Sequence, residues 1–295
     1  MELMGMIQNN SIACFLASSL SDVWRERFIT LLFGIIEGIT EFLPISSTGH
    51  LIIVQKILGE ERSEFFNVGI QAGAVLAVAL IYWKHLLRLF LESARKENRD
   101  YICKLAAAFG ITAVLGILSR KAGFKLSDSS LAAVTSAVWL GALVILAVEW
   151  RIKRRARLHA APLKESISWP AAVVAGLAQV IAGIFPGTSR SMATILGTML
   201  MGVSRTASTE FSFILGIPTM FAASGYMLLA DIREHGPPAA GEIEHFTIGF
   251  IISMAVAFIV VKWLLGYIRS HDFIPFAWYR IALGIMLLLM IYQSF

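Results

Sequence analysis

Charge is what this chain is short of: 15% of its 295 residues are Asp, Glu, Lys or Arg, against 57% that are hydrophobic, and the mean hydropathy is +0.72. Soluble domains carry about 25% charged residues, so a water-solvated core is excluded and the chain reads as a polytopic membrane protein. Cysteine is scarcer still. The two present, Cys14 and Cys103, lie in different segments away from any His-rich spacing, which excludes a disulfide framework or thiolate metal site and leaves them as packing residues. The first twenty residues contain no Lys or Arg, so they lack the basic start of a signal peptide, and residues 1–27 are expected to form an interfacial extension. Also missing is the alternation of a transmembrane barrel; the apolar stretches are helix-length, with Gly and Pro inside them. The net charge of +5 comes from basic residues in loops between these stretches, where lipid and topology account for it, and no nucleic acid is expected as a partner.

Six stretches are long enough to cross a hydrocarbon layer of about 30 Å: Phe65 to Trp83, Cys103 to Ser119, Leu131 to Trp150, Phe211 to Ala230, Phe246 to Leu265 and Phe276 to Ile291. Two regions do not fit. Phe28 to Leu43 rises only about 24 Å before Pro44, and Pro170 to Phe185 stops similarly before Pro186-Gly187. Each is followed by a second short segment, Ser46 to Leu58 and Thr188 to Met201. Paired short helices around a Pro break predict re-entrant hairpins, tolerated in lipid where their irregular backbone faces protein or a polar cavity.

The two regions also match each other. An offset of 142 residues places Gly34 on Gly176, Glu37 on Gln179, Pro44 on Pro186, Ser46 on Thr188 and Ser47 on Ser189; further on, Glu64-Phe65 falls on Glu210-Phe211, each expected to open a crossing. The loops Lys84–Lys104 and Arg151–Lys164 carry six basic residues each and should be cytoplasmic. Tracing from them brings the first hairpin in from outside and the second from the cytoplasm. The expected fold is therefore an all-α polytopic membrane protein of six transmembrane helices plus two re-entrant helical hairpins in an inverted-topology repeat, one membrane domain over residues 28–295 with repeats at about 28–150 and 170–295.

The polar residues of the hairpins are the functional candidates, since ionisable groups are expensive at that depth. Glu37 and Glu41, four apart, project from one helical face. Two neighbouring carboxylates in low dielectric cannot both stay ionised cheaply, so either one holds a proton or a cation sits between them; with a phosphate substrate a divalent cation, Mg²⁺ or Ca²⁺, fits, as Mg²⁺ takes one or two carboxylates and completes its shell with water and phosphate oxygen. After Pro44, Ser46-Ser47-Thr48 opens a helix whose N-terminus offers free N–H groups to an anion. Gly187-Thr188-Ser189-Arg190-Ser191 offers the same with a guanidinium, which suits phosphoryl oxygen; in the empty protein Arg190 can instead pair with Glu37 or Glu41. His50, on the face of Ser47, can act as a base towards it or attack phosphorus itself. Gln71 and Glu210 are expected to join helices, and Arg280 to snorkel or to neutralise an acidic neighbour.

These motifs carry a resemblance. Glu37-Gly-x-Thr-Glu41-Phe-Leu-Pro44-x-Ser-Ser-Thr-Gly-His50, then Pro186-Gly187-x-Ser189-Arg190-Ser191, Gly202-Val-Ser-Arg205 with Glu210-Phe-Ser-Phe, and Phe273-Ile-Pro-Phe-x-x-Tyr-Arg280 resemble the bacterial undecaprenyl-diphosphate phosphatase family, also associated with bacitracin resistance. The resemblance runs from about Arg25 to the C-terminus. It implies hydrolysis of undecaprenyl diphosphate to the monophosphate, recycling the lipid carrier of cell-wall synthesis, with a divalent cation and an active site reached from the periplasmic face of the bacterial inner membrane. Carried over by position, its functional residues are Glu37, Glu41, Ser46, Ser47, Thr48, His50, Ser189 and Arg190. The family pattern has Gly where this chain has Met192, which is expected to narrow the polar pocket.

Together these readings assign catalysis to Glu37, Glu41, Ser47, His50 and Arg190, with Ser47 activated by His50 as the favoured nucleophile and direct attack by His50 or by water as alternatives. Substrate binding falls to Ser46, Thr48, Gly187, Thr188, Ser189 and Ser191, and the cation to Glu37 and Glu41. The expected partners are a prenyl diphosphate lipid and membrane lipids, with a homodimer left open. A transporter or flippase of a phosphorylated prenyl lipid shares the broken-helix architecture and is the competing reading.

Overall fold

Serine opens most of the helices. In a computed structural model that describes residues 23–124, 130–158 and 162–292, the first helix, α1, spans 23–40. It is followed by α2 (Ser47–Leu58), α3 (Glu64–Ile81), α4 (Trp83–Leu91), α5 (Lys96–Lys121), α6 (Leu131–Arg157), α7 (Trp169–Ile184), α8 (Arg190–Leu200), α9 (Arg205–His235), α10 (Ala240–Tyr267) and α11 (Ile274–Tyr292). Ser46, Ser63, Ser130, Ser168, Ser189 and Ser204 each accept a backbone N–H through Oγ at the start of α2, α3, α6, α7, α8 and α9. Such a cap satisfies an N–H that lipid cannot, and replacing one by Ala costs about 1 kcal/mol.

Six helices, α3, α5, α6, α9, α10 and α11, are long and apolar enough to cross a membrane, and they coincide with the six expected crossings. The two shorter pairs break where proline and glycine require it. The helix α1 ends in a turn over residues 41–45 containing Pro44, and α2 folds back so that Leu51, Val54 and Leu58 pack on the cluster of Ile29 and Phe33. Likewise α7 ends before Pro186-Gly187 and packs on α8. Residues 23–27 of the expected extension belong to α1; the rest of it lies outside the described residues.

The pairing of helices interlocks the two halves. Gly34 brings α1 against α10, where an added Cβ would lie 3.0 Å from the Gly249 carbonyl oxygen, and Gly176 brings α7 against α5, 2.7 Å from that of Ala108. The matched glycines thus perform one task, backbone-close helix packing, each against a crossing of the opposite half. The long helices α3 and α10, and α6 and α11, also pack on each other. A continuous apolar cluster including Phe42, Ile45, Val78, Ile145, Ile195, Phe213 and Phe273 backs the two turns.

Backbone geometry corrects the repeat register by one residue at the turns. Ser46 and Ser189 are the described non-glycine residues with positive φ, 78° and 69°, and both cap the following helix, so Ser46 corresponds to Ser189 and not to Thr188. Nor does Glu210 open a crossing as Glu64 does. The cap of α9 is Ser204, and the helix begins at Arg205, five residues before Glu210. Cys103 is exposed on α5 rather than packed, its helix turning another face to α7.

Candidate active site

The ends of the two hairpins meet. Glu41 continues the hydrogen bonding of α1, its N–H donating to the Glu37 carbonyl at 3.0 Å, so both carboxylates lie one turn apart on a single helical face. From α8, the Arg190 guanidinium reaches Glu41, with Nη2 3.7 Å from Oε1. At that distance the contact is Coulombic rather than a hydrogen bond. Ser47, the first residue of α2, donates its hydroxyl to Glu41 Oε2 at 2.7 Å. Acid, hydroxyl and guanidinium therefore converge from opposite halves of the chain.

Arg190 is seated with care. Nη1 donates to the Ser212 carbonyl at 3.3 Å, the guanidinium carbon lies 5.5 Å from the centre of the Phe42 ring, and Gly216 on α9 leaves the space it fills: a Cβ there would sit 2.5 Å from Nη1 and 2.9 Å from Cζ. Nε and Nη2 have no hydrogen-bond partner although buried. A cation with two idle, forked donors is arranged to receive oxygens of a tetrahedral anion.

Glu37 is fully buried, and neither of its carboxylate oxygens has a partner. Buried polar atoms without partners are rare and costly, which fits a group that completes its bonds only when another species arrives. Among the described residues no cluster of three or more Asp, Glu, His and Cys exists. Two carboxylates one helical turn apart are too few to hold a cation by protein alone; a divalent cation there would need phosphate oxygen and water to complete its coordination.

A second guanidinium ties the turns together. Arg280 is fully buried; Nε donates to the Val138 carbonyl at 3.0 Å, Nη2 to those of Ala137 at 3.0 Å and Gly187 at 3.2 Å, and Nη1 to that of Pro44 at 3.4 Å. It bridges the breaks of both hairpins and α6. Ser191 adds a direct strut, donating to the Leu43 carbonyl at 3.3 Å.

The family described as bacitracin resistance protein BacA matches residues 30–286. The chain belongs to this BacA family. Among its relatives, a protein of Rhizobium etli (strain CIAT 652) named undecaprenyl-diphosphatase is 54% identical over 259 residues, covering 87% of this chain and 94% of the relative. Proteins of the same name from Xylella fastidiosa (strain 9a5c) and Xanthomonas oryzae pv. oryzae (strain PXO99A) are each 47% identical, covering 89% and 88% of this chain and 98% and 95% of their own lengths.

In this member of the BacA family the expected site residues divide. Glu41, Ser47 and Arg190 come together, with Glu37 one helical turn from Glu41, and the anticipated pairing of Arg190 with a glutamate falls on Glu41. Ser46 and Ser189 cap their helices, Thr188 donates to the Phe185 carbonyl within its turn at 2.7 Å, and Ser191 is buried as the strut between hairpins; Thr48 lies half-buried beside Ser47. Gly187 holds φ at 89° and presents its carbonyl to Arg280, in a space where a Cβ would meet the Val134 carbonyl at 2.8 Å. His50 is a correction: it does not bond Ser47, because Nδ1 lies 2.7 Å from the Ser46 carbonyl and Nε2 2.7 Å from the Tyr279 hydroxyl. Arg280 is another, since it neither snorkels nor meets an acid and is satisfied by carbonyls. Met192 packs in the apolar cluster instead of narrowing a polar pocket. Sequence reasoning overlooked Gly216, Ser212 and Tyr279. For Tyr279 the signal was available, in its place beside Arg280 in the last motif.

Proposed function

We propose that this chain hydrolyses the terminal phosphoanhydride bond of undecaprenyl diphosphate, consuming water and releasing undecaprenyl phosphate and inorganic phosphate. The relatives bear the name of this activity over most of both chains. The observation that carries the reading is the meeting of Ser47, Glu41 and Arg190 at the ends of two hairpins from opposite halves.

The Ser47 hydroxyl attacks the terminal phosphorus and passes its proton to Glu41, which already accepts it as a hydrogen bond. Undecaprenyl phosphate leaves with the anhydride oxygen and takes up the proton from Glu41. Water then attacks the phosphoserine, its oxygen and one hydrogen going to phosphorus and its other proton passing through Glu41 to Ser47 Oγ as the ester bond breaks and inorganic phosphate is released. Arg190 binds phosphoryl oxygens through its idle donors and stabilises charge that grows during transfer. Glu37 and Glu41 would hold a divalent cation, which would neutralise phosphate charge when bound. The prenyl tail remains in lipid between the helices. We place the protein in the bacterial inner membrane, with the site open to the periplasm, on the strength of the basic loops at 84–104 and 151–164.

Detergent-purified protein should release inorganic phosphate from a prenyl diphosphate with divalent cation and lose that activity to a chelator. Glu41→Gln and the charge-retaining Arg190→Lys should lower turnover by about 100-fold or more with nearly unchanged thermal melts. No phosphate release at any cation concentration would favour transport of the lipid, and retained turnover with a large loss of stability would make these residues structural.

A further inference from the structure

Both ring nitrogens of His50 are engaged. A carbonyl can only accept, so Nδ1, 2.7 Å from the Ser46 oxygen, carries the proton. In the neutral ring Nε2 then presents a lone pair, to which the Tyr279 hydroxyl 2.7 Å away can donate. The two rings stack with centroids 5.5 Å apart and planes 11° from parallel. The Ser46 carbonyl belongs to the same rigid peptide unit as the Ser47 nitrogen. Holding that oxygen holds the peptide plane that leads into Ser47, at a serine whose φ of 78° is otherwise unfavourable.

The second hairpin holds its carbonyl without a side chain, the Ala193 backbone N–H donating to the Ser189 carbonyl at 3.0 Å. Ala193 stands four residues after Ser189, where His50 stands after Ser46, and Ser189 leads into Arg190, whose guanidinium is fixed by Ser212 and Gly216 instead. Support of this carbonyl by a side chain is thus confined to the turn that presents a hydroxyl to Glu41. It comes from α11, and Tyr279 is the neighbour of Arg280, which grips the same turn at Pro44.

We infer that Tyr279 is a positioning residue for the proposed hydrolysis: by donating to Nε2 it keeps His50 in the Nδ1–H form, which pins the Ser46 carbonyl and so aims Ser47 at Glu41. Tyr279 touches neither Ser47 nor Glu41 in this chain of contacts and acts through His50. The inference rests on the hydrolase reading for its kinetic consequence, but the hydrogen-bond chain stands apart from it.

The test is Tyr279→Phe, which keeps the stacked ring and removes the donor. Misaiming a reacting group by a fraction of an ångström lowers kcat by about tenfold or more; KM for the prenyl diphosphate should stay within about twofold, since substrate binding is untouched. In protein labelled with ¹⁵N-histidine, with the His50 signals assigned by their loss in His50→Gln, the wild type should show His50 in one form, protonated at Nδ1. Tyr279→Phe should convert it to a mixture, with the thermal melt unchanged. Unaltered kcat, or a fall in kcat with the His50 ring still wholly Nδ1–H, would overturn the inference. A wild-type protein that releases no phosphate would instead sink the hydrolase reading and the kinetic role with it, while the ring spectrum would still decide whether Tyr279 sets the His50 tautomer.

Discussion

Ser46 and Ser189 hold the same unfavourable backbone, φ 78° and φ 69°, at equivalent points of two hairpins, and each caps the helix that follows. A side chain at positive φ costs on the order of 1–3 kcal/mol, whereas exchanging a serine cap for glycine loses only about a few tenths. Ser46→Gly and Ser189→Gly are therefore expected to melt at or above the wild-type temperature in detergent. The corresponding Ala variants keep the strain, lose the cap and should melt lower. Both Gly variants melting well below wild type would show that the turns are held by the hydroxyls rather than strained by the backbone.

Gly216 should behave as a seat for Arg190 rather than as a flexible joint. The Cβ of Gly216→Ala would fall within contact of the guanidinium, and either the Arg190 head moves or α9 does. Because the reacting geometry tolerates little displacement, phosphate release should fall by about tenfold to a hundredfold, while Gly225→Ala on the same helix, where no atom lies within 4 Å of an added Cβ, should change little. Equal losses in both would mean that helix α9 bends for function and that the seat is irrelevant.

At the other end of the bundle, Glu149 and Arg205 form an ion pair that joins α6 to α9, and Glu149 Oε1 also accepts the Phe273 amide at 3.1 Å. Glu149 is fully buried. Removing Arg205 strands a buried carboxylate, a loss of about 3–5 kcal/mol. Arg205→Met is thus expected to unfold at markedly lower temperature, and the double variant Arg205→Met/Glu149→Leu to recover part of the loss. A double variant no better than the single one would show that the Glu149 bond to Phe273, rather than the charge, matters most.

Asp272, in the loop before α11, supports a pH prediction. Partial burial pushes its carboxyl up, but the Lys153 ammonium at 2.7 Å, the Ile274 amide and Arg205 outweigh that and hold it below the ordinary carboxylate range. A carboxyl lowered by folding contributes stability that is present above its unfolded value, about 4, and is lost as pH falls through its folded value. Lys153 is half exposed, so solvent screening keeps the contribution small. Melting temperatures of Asp272→Asn and wild type should converge as pH drops below about 4 and differ by a constant amount from pH 5 upwards. A difference that persists in acid would assign the effect to the Ile274 cap alone.

Legibility was uneven for physical reasons. The six crossings, the breaks at Pro44 and Pro186 and the polar make-up of both hairpins could all be read from the chain, since hydropathy, proline geometry and the scarcity of ionisable groups in lipid are local signals. The task shared by Gly34 and Gly176 was visible as a match, though not which helix each would approach. Ser47 and His50 were assigned to each other because they are three apart on one helix. The actual partners, Glu41 and Tyr279, come from beyond the helix, and a hydrogen bond of 2.7 Å is decided by the packing that carries the groups together. Arg280 was misread for the same cause: a buried guanidinium needs acceptors, and four backbone carbonyls from three segments leave no trace in the sequence.

What the sequence alone determined is the solvent of this protein and the residue types its hairpins bring to the work, because a helix in lipid must satisfy its own backbone and can hide few charges. Tertiary structure decided the partners. Glu41 and Arg190 come within 3.7 Å of each other because α1 leans on α10 and α7 on α5, and the rotation of those helices, set by the glycines between them, selects which hydroxyl meets which acid.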